Sequence, residues 1–360
     1  MTEEIQGRVS VLIPARNEEA NIESAVRSVA AQREVREVIV VDDQSSDRTG
    51  EILERLKREF ANLRTIRVES LPAGWMGKTN ALATAARVAT GDWFLFTDAD
   101  TQHRPESLAA LLARAEGEHA DLLSLSPGQR VPTWWEKAVV PLVYVGLARR
   151  FKFEEVSDPQ SPVAAANGQY ILISRKMYVR SGGYEAVRAE VLDDVALARR
   201  VKAKGGRIVF LPGAVWAETR MYGTFREMWE GWTKNLYALC GGKMTNIMTT
   251  VTRTVLLDCL PALAFAAFLV GLIPSLRHSA LPPGVALGAV ISLMAVAGRQ
   301  WNYRRKLGRL GLDPSAAKYL ILGAPIYSLL LLNSARAHAM GRVRWKGREY
   351  RTGNSTKRAE

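Results

Sequence analysis

Between residues 9 and 126 the chain alternates short apolar runs with amphipathic stretches, and that rhythm leaves few folds open to it. Val9–Ile13, Val38–Val41, Thr65–Val68, Trp93–Thr97 and Asp121–Leu125 read as short buried strands. Residues 18–31, 46–60, 77–89 and 105–117, which lie between them, have helical spacing. Strands that alternate with helices build an α/β domain with a mostly parallel sheet covered on both faces. Ligands of such sheets bind at the carboxyl ends of the strands. Further on, Gly168–Ser174 and Arg207–Leu211 read as strands, and Asp193–Lys204 and residues 223–239 as helices.

A different composition begins at residue 254. Val255–Pro274 is an apolar run interrupted only by Asp258, Leu281–Gly298 is a second, and Tyr319–Asn333 is a shorter third. About 20 apolar residues in a helix cross the hydrocarbon core of a bilayer. Segments 255–274 and 281–298 are therefore expected to span. Segment 319–333 reads either as a third span or as a broken, re-entrant or interfacial helix, because Gly323 and Pro325 interrupt regular helix bonding. Asp258 is expected to face protein or headgroups, since a lipid-facing carboxylate is costly. Residues 132–153 contain an apolar stretch too short to cross and read as an interfacial or core helix. The expected organisation is an α/β domain over 1–245, membrane segments over 254–334 and a basic tail over 335–360.

Charge supports that division. Residues 251–360 hold 16 of the 49 Lys and Arg but only 4 of the 36 Asp and Glu, so nearly all of the net charge of +13 lies there. Basic residues flanking long apolar runs suit anionic lipid headgroups rather than nucleic acid. The start, Met1-Thr2-Glu3-Glu4, has no export signal, which predicts a cytoplasmic catalytic domain. The basic stretch Arg299–Arg309, read as a loop, and the residues after Asn333 then belong on the same side by the positive-inside rule. Only Arg277 and His278 mark the short outer turn. Cys240 and Cys259 are too few for a disulfide framework or a Cys-rich metal site.

The chemistry-bearing residues cluster at the predicted strand ends. The first strand runs into Pro14-Ala15-Arg16-Asn17-Glu18 and the second into Asp42-Asp43-Gln44-Ser45-Ser46-Asp47. Carboxylates there can accept hydrogen bonds from a base and from ribose hydroxyls, while helix capping accounts for one of them. Asp98-Ala99-Asp100 follows a buried strand, and two carboxylates one residue apart at a strand end suit a hard cation, with diphosphate oxygens as further ligands. Lys78 opens a helix and reads either as a phosphate contact or as an exposed lysine. Asp193 and Asp194 begin another helix, where they are N-caps or, for Asp194, a general base.

Taken together, PARNEE, VDDQSSD, GKTNAL, the DAD triplet and LDDVAL resemble the family-2 glycosyltransferases, which have the GT-A fold, over about residues 8–240. The residues Val343–Arg351 are similar to the tails of ceramide glucosyltransferases and of hopanoid-associated or carotenoid glycosyltransferases of bacteria. The resemblance implies that Pro14, Ala15, Asn17, Glu18, Asp42, Asp43, Lys78 and Asp98 line a nucleotide-sugar site, with Asp43 and Asp42 on uracil and ribose. It implies that Asp98 and Asp100 hold Mg²⁺ or Mn²⁺ and the diphosphate, that Asp194 with Asp193 serves the acceptor, and that Asn167, Gly168, Trp232 and Lys234 border acceptor or diphosphate. Two departures stand out: Gly231 occupies the place of the arginine in the family's [QR]-x-x-R-W motif, with Lys234 the nearest cation, and Asp193 replaces a glutamate. The implied activity is an inverting transfer of one sugar from a UDP-sugar to a lipid hydroxyl at the cytoplasmic face of the inner membrane, by a multi-pass protein. Alternatives are a polyprenyl-phosphate sugar synthase, a polysaccharide synthase and a non-catalytic nucleotide-binding membrane protein.

Overall fold

The computed structural model describes residues 7–273 and 283–351. The export-signal reading of Met1–Glu4, the turn with Arg277 and His278, and Pro274, Leu281 and Pro282 lie outside those residues.

The elements follow the sequence rhythm. In chain order they are β1 (Val9–Ala15), α1 (Ile22–Ala30), β2 (Val35–Asp42), α2 (Thr49–Glu59), β3 (Leu63–Arg67), α3 (Gly77–Val88), β4 (Trp93–Phe96), β5 (Thr101–His103), α4 (Ser107–Gly117), β6 (Leu122–Ser126), β7 (Gly128–Gln129), α5 (Trp134–Arg150), α6 (Phe153–Ser157), β8 (Ile171–Ser174), α7 (Arg175–Ser181), α8 (Asp193–Ala203), β9 (Ile208–Pro212), β10 (Ala217–Thr219) and α9 (Phe225–Leu239). A seven-stranded sheet has the order β3-β2-β1-β4-β8-β6-β9. Its strands are parallel except β8, which runs against both neighbours. Register aligns Ala15 with Asp42 and Leu12 with Phe96, so the segments after β1, β2 and β4 emerge side by side. Nearly every residue of β1, β2 and β4 is buried, because helices cover both faces of the sheet. The small sheet β5-β10-β7 carries the chain back across the end of β4; its strands of two or three residues are too short to show a period in sequence.

A third core lies outside the sheet. It joins Val139 and Val143 of α5 and Met228, Trp232 and Leu236 of α9 to Leu320, Leu330 and Leu331 of a carboxy-terminal helix. The apolar region comprises α10 (Met244–Thr254), a π-helical turn at Val255–Cys259, α11 (Leu260–Leu272), α12 (Pro283–Arg309) and α13 (Leu320–Ala339), the last preceded by a 3₁₀ segment at Pro314–Tyr319. Three continuous helices here, Met244–Gly271, Pro283–Arg309 and Pro314–Ala339, are long and apolar enough to cross a membrane. The first two are largely uncovered by protein, with only 11% of each apolar window buried, whereas half of the third is buried.

Two expectations change here. The stretch Arg299–Arg309 is not a loop but the last turns of α12, since Arg, Lys, Gln and Leu are good helix formers and the one glycine, Gly308, stands at the very end of the helix. Nor does α13 break at Gly323 and Pro325. Pro325 costs it one backbone bond, and the helix runs on through it, packed against α5 and α9. Gly323 serves that packing, because a Cβ there would run into the Ala138 carbonyl of α5. Asp258 faces protein, as expected, and takes both nitrogens of an Arg299 fork, Nε at 2.5 Å and Nη2 at 3.1 Å.

The stretch read as a basic tail folds back. Arg342–Trp345 (β11) and Arg348–Arg351 (β12) pair antiparallel around Lys346-Gly347. Both turn residues have positive φ, 45° and 76°, the conformation that a tight two-residue hairpin requires. The hairpin lies over the carboxyl ends of β1 and β2.

Candidate active site

The ends of β1 and β2 are laced together first. Asn17 takes a left-handed conformation (φ 52°), its N–H donates to Ser45 Oγ at 3.0 Å, and its side-chain oxygen accepts from the Ser46 N–H at 2.9 Å. The Glu18 N–H donates to Thr49 Oγ1 at 2.8 Å. Asp42 is turned into the same turn, where its Oδ1 accepts from the Ser45 N–H at 2.8 Å. Asp43 instead faces outward from the sheet end, although it is buried, because the hairpin covers it. Its carboxylate takes the Arg348 guanidinium in a two-point pair, with Nη2 to Oδ1 at 3.1 Å, while Nη2 also reaches Gln44 Oε1 at 2.8 Å. Lys346 pairs with Glu18 and donates to the Arg16 carbonyl at 2.9 Å. The Asp43 N–H donates to the carbonyl of Ala15, which follows Pro14 at the end of β1, at 2.8 Å.

The end of β4 supplies the acidic pair. Asp98 Oδ1 lies 2.6 Å from Lys78 Nζ, which α3 delivers from its first turn. Asp100 accepts from Thr219 Oγ1 of β10 at 3.1 Å. Burial and the neighbouring charges of Asp98 and Glu18 push the Asp100 carboxyl up to about 7. Burial opposes the charge on Lys78, but Asp98, Asp193 and Asp194 outweigh it and hold the ammonium above the usual lysine range. Lys78 is thus tied into the acidic cluster rather than free at the surface.

Asp193 and Asp194 meet Lys78 from the opposite wall. The Gly168 N–H donates to Asp194 Oδ2 at 3.0 Å and the Val195 N–H to Oδ1 at 2.7 Å, which fixes the carboxylate. Burial raises both groups, with Lys78 opposing, and takes Asp193 to about 6. Asp193 Oδ2 is buried with no hydrogen-bond partner among the described residues. Asn167 is held by its N–H to Ser124 Oγ at 2.9 Å, which sets the turn that presents Gly168. Trp232 packs edge-on against Tyr144 and Tyr222. Lys234 lies 5.2 Å from the centre of the Trp345 ring, and burial, against the pull of Asp193, brings it down to about 8. Gly231 is explained as well, since a Cβ there would collide with Tyr222 and Trp345. The hairpin tryptophan fills the place where a motif arginine would have to go.

These groups border one cavity of about 190 Å³. Lys78, Asp98 and Asp194 stand at its polar part, and Leu147, Phe151 and Leu310 line its apolar part. Lys78, Asp98, Asn167, Gly168, Asp193, Asp194, Trp232 and Lys234 thus line it together, whereas Pro14, Ala15, Glu18, Asp43 and Asp100 stand at the neighbouring strand ends outside its lining, and Asn17 and Asp42 brace a turn. The sequence reading missed Trp345, Lys346 and Arg348; the available signal was the Lys346-Gly347 turn between two short alternating runs.

A seven-stranded sheet with one reversed strand, and carboxylates gathered at the ends of its parallel strands, defines a glycosyltransferase of the GT-A fold. Residues 10–181 match the model of glycosyl transferase family 2. Two curated relatives are 4,4'-diaponeurosporenoate glycosyltransferases. That of Staphylococcus haemolyticus (strain JCSC1435) is 25% identical over 356 residues, covering 95% of this chain and 88% of the relative. That of Staphylococcus aureus (strain USA300) is 25% identical over 352 residues with the same coverage. Among solved structures, a mannosyltransferase from Pyrobaculum calidifontis in complex with GDP-Man and Mn²⁺ is 18% identical, covers 93% of this chain and 87% of its own, and superposes with a TM-score of 0.52. At that identity the likeness concerns the fold.

Proposed function

We propose that this glycosyltransferase moves a single sugar, with inversion, from a UDP-sugar to a lipid acceptor at the cytoplasmic face of the cell membrane. The observation that carries the reading is the shape of the cavity. Its polar part, at Lys78, Asp98 and Asp194, runs directly into an apolar part bounded by Leu147, Phe151 and Leu310. A sugar donor and the hydroxyl of a long apolar acceptor can meet only where those two parts join. The names of the staphylococcal relatives support an acceptor of that kind.

Asp43 and Glu18 border the nucleoside end, and Asp98 and Asp100 the diphosphate. Among the described residues no group of three or more His, Cys, Asp or Glu is arranged to cage a metal. Two carboxylates one residue apart, both hard oxygen donors, nevertheless fit Mg²⁺ or Mn²⁺ held jointly with a nucleotide, since such ions keep positions for phosphate oxygens. When bound there, the cation would neutralise charge on the departing diphosphate. Lys78 meets the same charge from the first turn of α3. Asp194, fixed by two backbone N–H groups, takes the proton of the acceptor hydroxyl as its oxygen attacks the anomeric carbon and the nucleoside diphosphate leaves. Attack from the face opposite the leaving group inverts the centre.

Membrane attachment rests on the exposed apolar surfaces of Met244–Gly271 and Pro283–Arg309. Support for a shared side of the membrane comes from α13, which packs on α5 and α9, and from the hairpin after it, which returns to the catalytic domain.

A second reading has its own support. The relatives are named for a carboxylate acceptor, which needs no base, and a polyprenyl phosphate would share that property. Asp194 would then orient the acceptor only. The deciding experiment incubates membranes containing the protein with labelled UDP- and GDP-sugars, with Mn²⁺ or with EDTA, and extracts the lipids. A labelled lipid from one UDP-sugar, abolished by EDTA, is expected. Label from a GDP-sugar alone would overturn the donor, and label that survives EDTA the metal.

A further inference from the structure

The hairpin β11–β12 brings two cations to carboxylates that the proposed reaction assigns to the donor. Arg348 covers the Asp43 carboxylate with both terminal nitrogens, and Lys346 covers Glu18. Neither contact can persist unchanged when a nucleoside uses Asp43. We propose that Lys346 and Arg348 are donor-binding residues: the hairpin is a clasp whose cations exchange Asp43 and Glu18 for the donor's diphosphate.

Position argues for the exchange. Arg348 stands against the first turn of α3, where a Cβ on Gly77 would collide with both its Nη1 and the Asp43 carboxylate. The next residue, Lys78, reaches Asp98 at 2.6 Å. The guanidinium therefore stands at the first turn of α3, next to the residue that reaches the acidic pair. Its planar fork matches a phosphate as well as it matches a carboxylate. Lys346, at the tip, pairs with Glu18 and donates to the Arg16 carbonyl at 2.9 Å, so it stands at the end of β1.

Anchoring argues that the hairpin stays close while its cations change partners. Trp345 is wedged edge-on against Tyr222 at 6.3 Å between ring centres, over Lys234, in the space that Gly231 leaves open. Val343 is buried on the same strand. The tight turn fixes the spacing between the tip lysine and the arginine. The acids explain the closed arrangement without donor: Glu18, Asp43, Asp98 and Asp100 crowd one sheet end, and the hairpin supplies two of the positive charges that make the crowding tolerable.

The inference rests on the donor reading above, and the test separates the two. Affinities for UDP and for uridine are measured by titration calorimetry and competition, with Mn²⁺, on the full chain in detergent; GDP and guanosine form a second pair. Arg348→Ala is expected to weaken UDP binding about tenfold, as loss of one charge-assisted contact to phosphate does, while uridine binds as well as before or better because Asp43 is freed. Lys346→Gln shows the same selective loss, and Lys346→Arg restores it. Equal weakening of UDP and uridine would make the hairpin a structural brace, and tighter binding of both would make it a plug; either overturns the clasp. If Arg348→Ala fails to fold, the Lys346 pair of variants decides alone. If wild type binds neither UDP nor GDP, the donor reading falls and the clasp with it.

Discussion

The Lys78 ammonium rests 2.6 Å from Asp98, and Gly168 backs it so closely that a methyl group at residue 168 would come within 2.7 Å of Lys78 Nζ. Only the end of a flexible side chain must move to admit that methyl, so Gly168→Ala should fold normally. It should displace Lys78 from Asp98 and lower transfer by about tenfold through misplacement alone. Sugar transfer measured beside thermal unfolding checks this. Undiminished transfer would exclude the Lys78–Asp98 contact from the working site.

Asp98→Asn and Asp100→Asn test the acidic pair. Each should lower turnover on the order of a hundredfold or more with little change in folding. Turnover is compared across Mn²⁺ concentrations, and full activity in either variant, with a wild type indifferent to EDTA, would remove the metal from the mechanism.

Asp194→Asn should keep nucleotide binding and lose transfer to a hydroxyl acceptor. Asp193→Asn should be milder, since that residue lies deeper. Calorimetry with UDP separates the roles: lost binding in Asp194→Asn would contradict its role as base, and near-normal transfer would favour an acceptor that is already an anion.

The strand–helix core was legible because its strands are buried on both faces and its helices on one, so hydrophobic period alone distinguishes them. The acidic residues of the site could be read for a related reason: in a parallel sheet, whatever follows a buried strand lands at the ligand-binding edge. The hairpin was hidden by its composition. Arg342, Arg344, Lys346, Arg348 and Arg351 give a stretch of ten residues the look of a solvated tail, and the acids that attract them lie some 300 positions earlier, as the pair Arg348–Asp43 shows with a separation of 305. Segment α13 was legible only in part: its apolar length was plain, its seat on α5 was not. A half-buried apolar helix and a membrane helix share one composition, and what separates them is a partner such as Ala138, which no local pattern announces.

His103 gives a prediction about pH. Thr97 donates its hydroxyl to the Gln169 carbonyl at 2.8 Å, so it accepts from His103 Nε2–H at 2.9 Å. Nδ1 is buried with no hydrogen-bond partner among the described residues, and burial brings the imidazole down from 6.5 to about 4. The folded value lies below the unfolded one, so the unfolded chain takes up the extra proton first. Stability attributable to this group is intact above about pH 6.5 and declines as pH falls toward 4, by about 3 kcal/mol in all. Denaturant unfolding at pH 7.5 and pH 5 should show a smaller acid loss in His103→Gln than in wild type, and an equal loss would refute the assignment.

Gly323→Ala should destabilise by about 1–3 kcal/mol, because the added methyl meets backbone rather than a side chain able to swing away. Gly298→Ala on α12, where no atom lies within 4 Å of the new methyl, is the matched control and should be neutral or slightly stabilising. Equal melting temperatures for the two variants in detergent would show that α13 is not seated on α5.

The core that α5 and α9 share with α13 means that the enzyme has no place where it can be cut in two. A truncation after α9, the obvious route to a water-soluble fragment, would strip Leu320, Leu330 and Leu331 from against Val139 and Trp232 and remove the strands above Asp43 as well. What looks like an anchor appended to a catalyst is the catalyst's own last wall, and the apolar carboxy-terminal part of the chain is inherited with the candidate site as a unit.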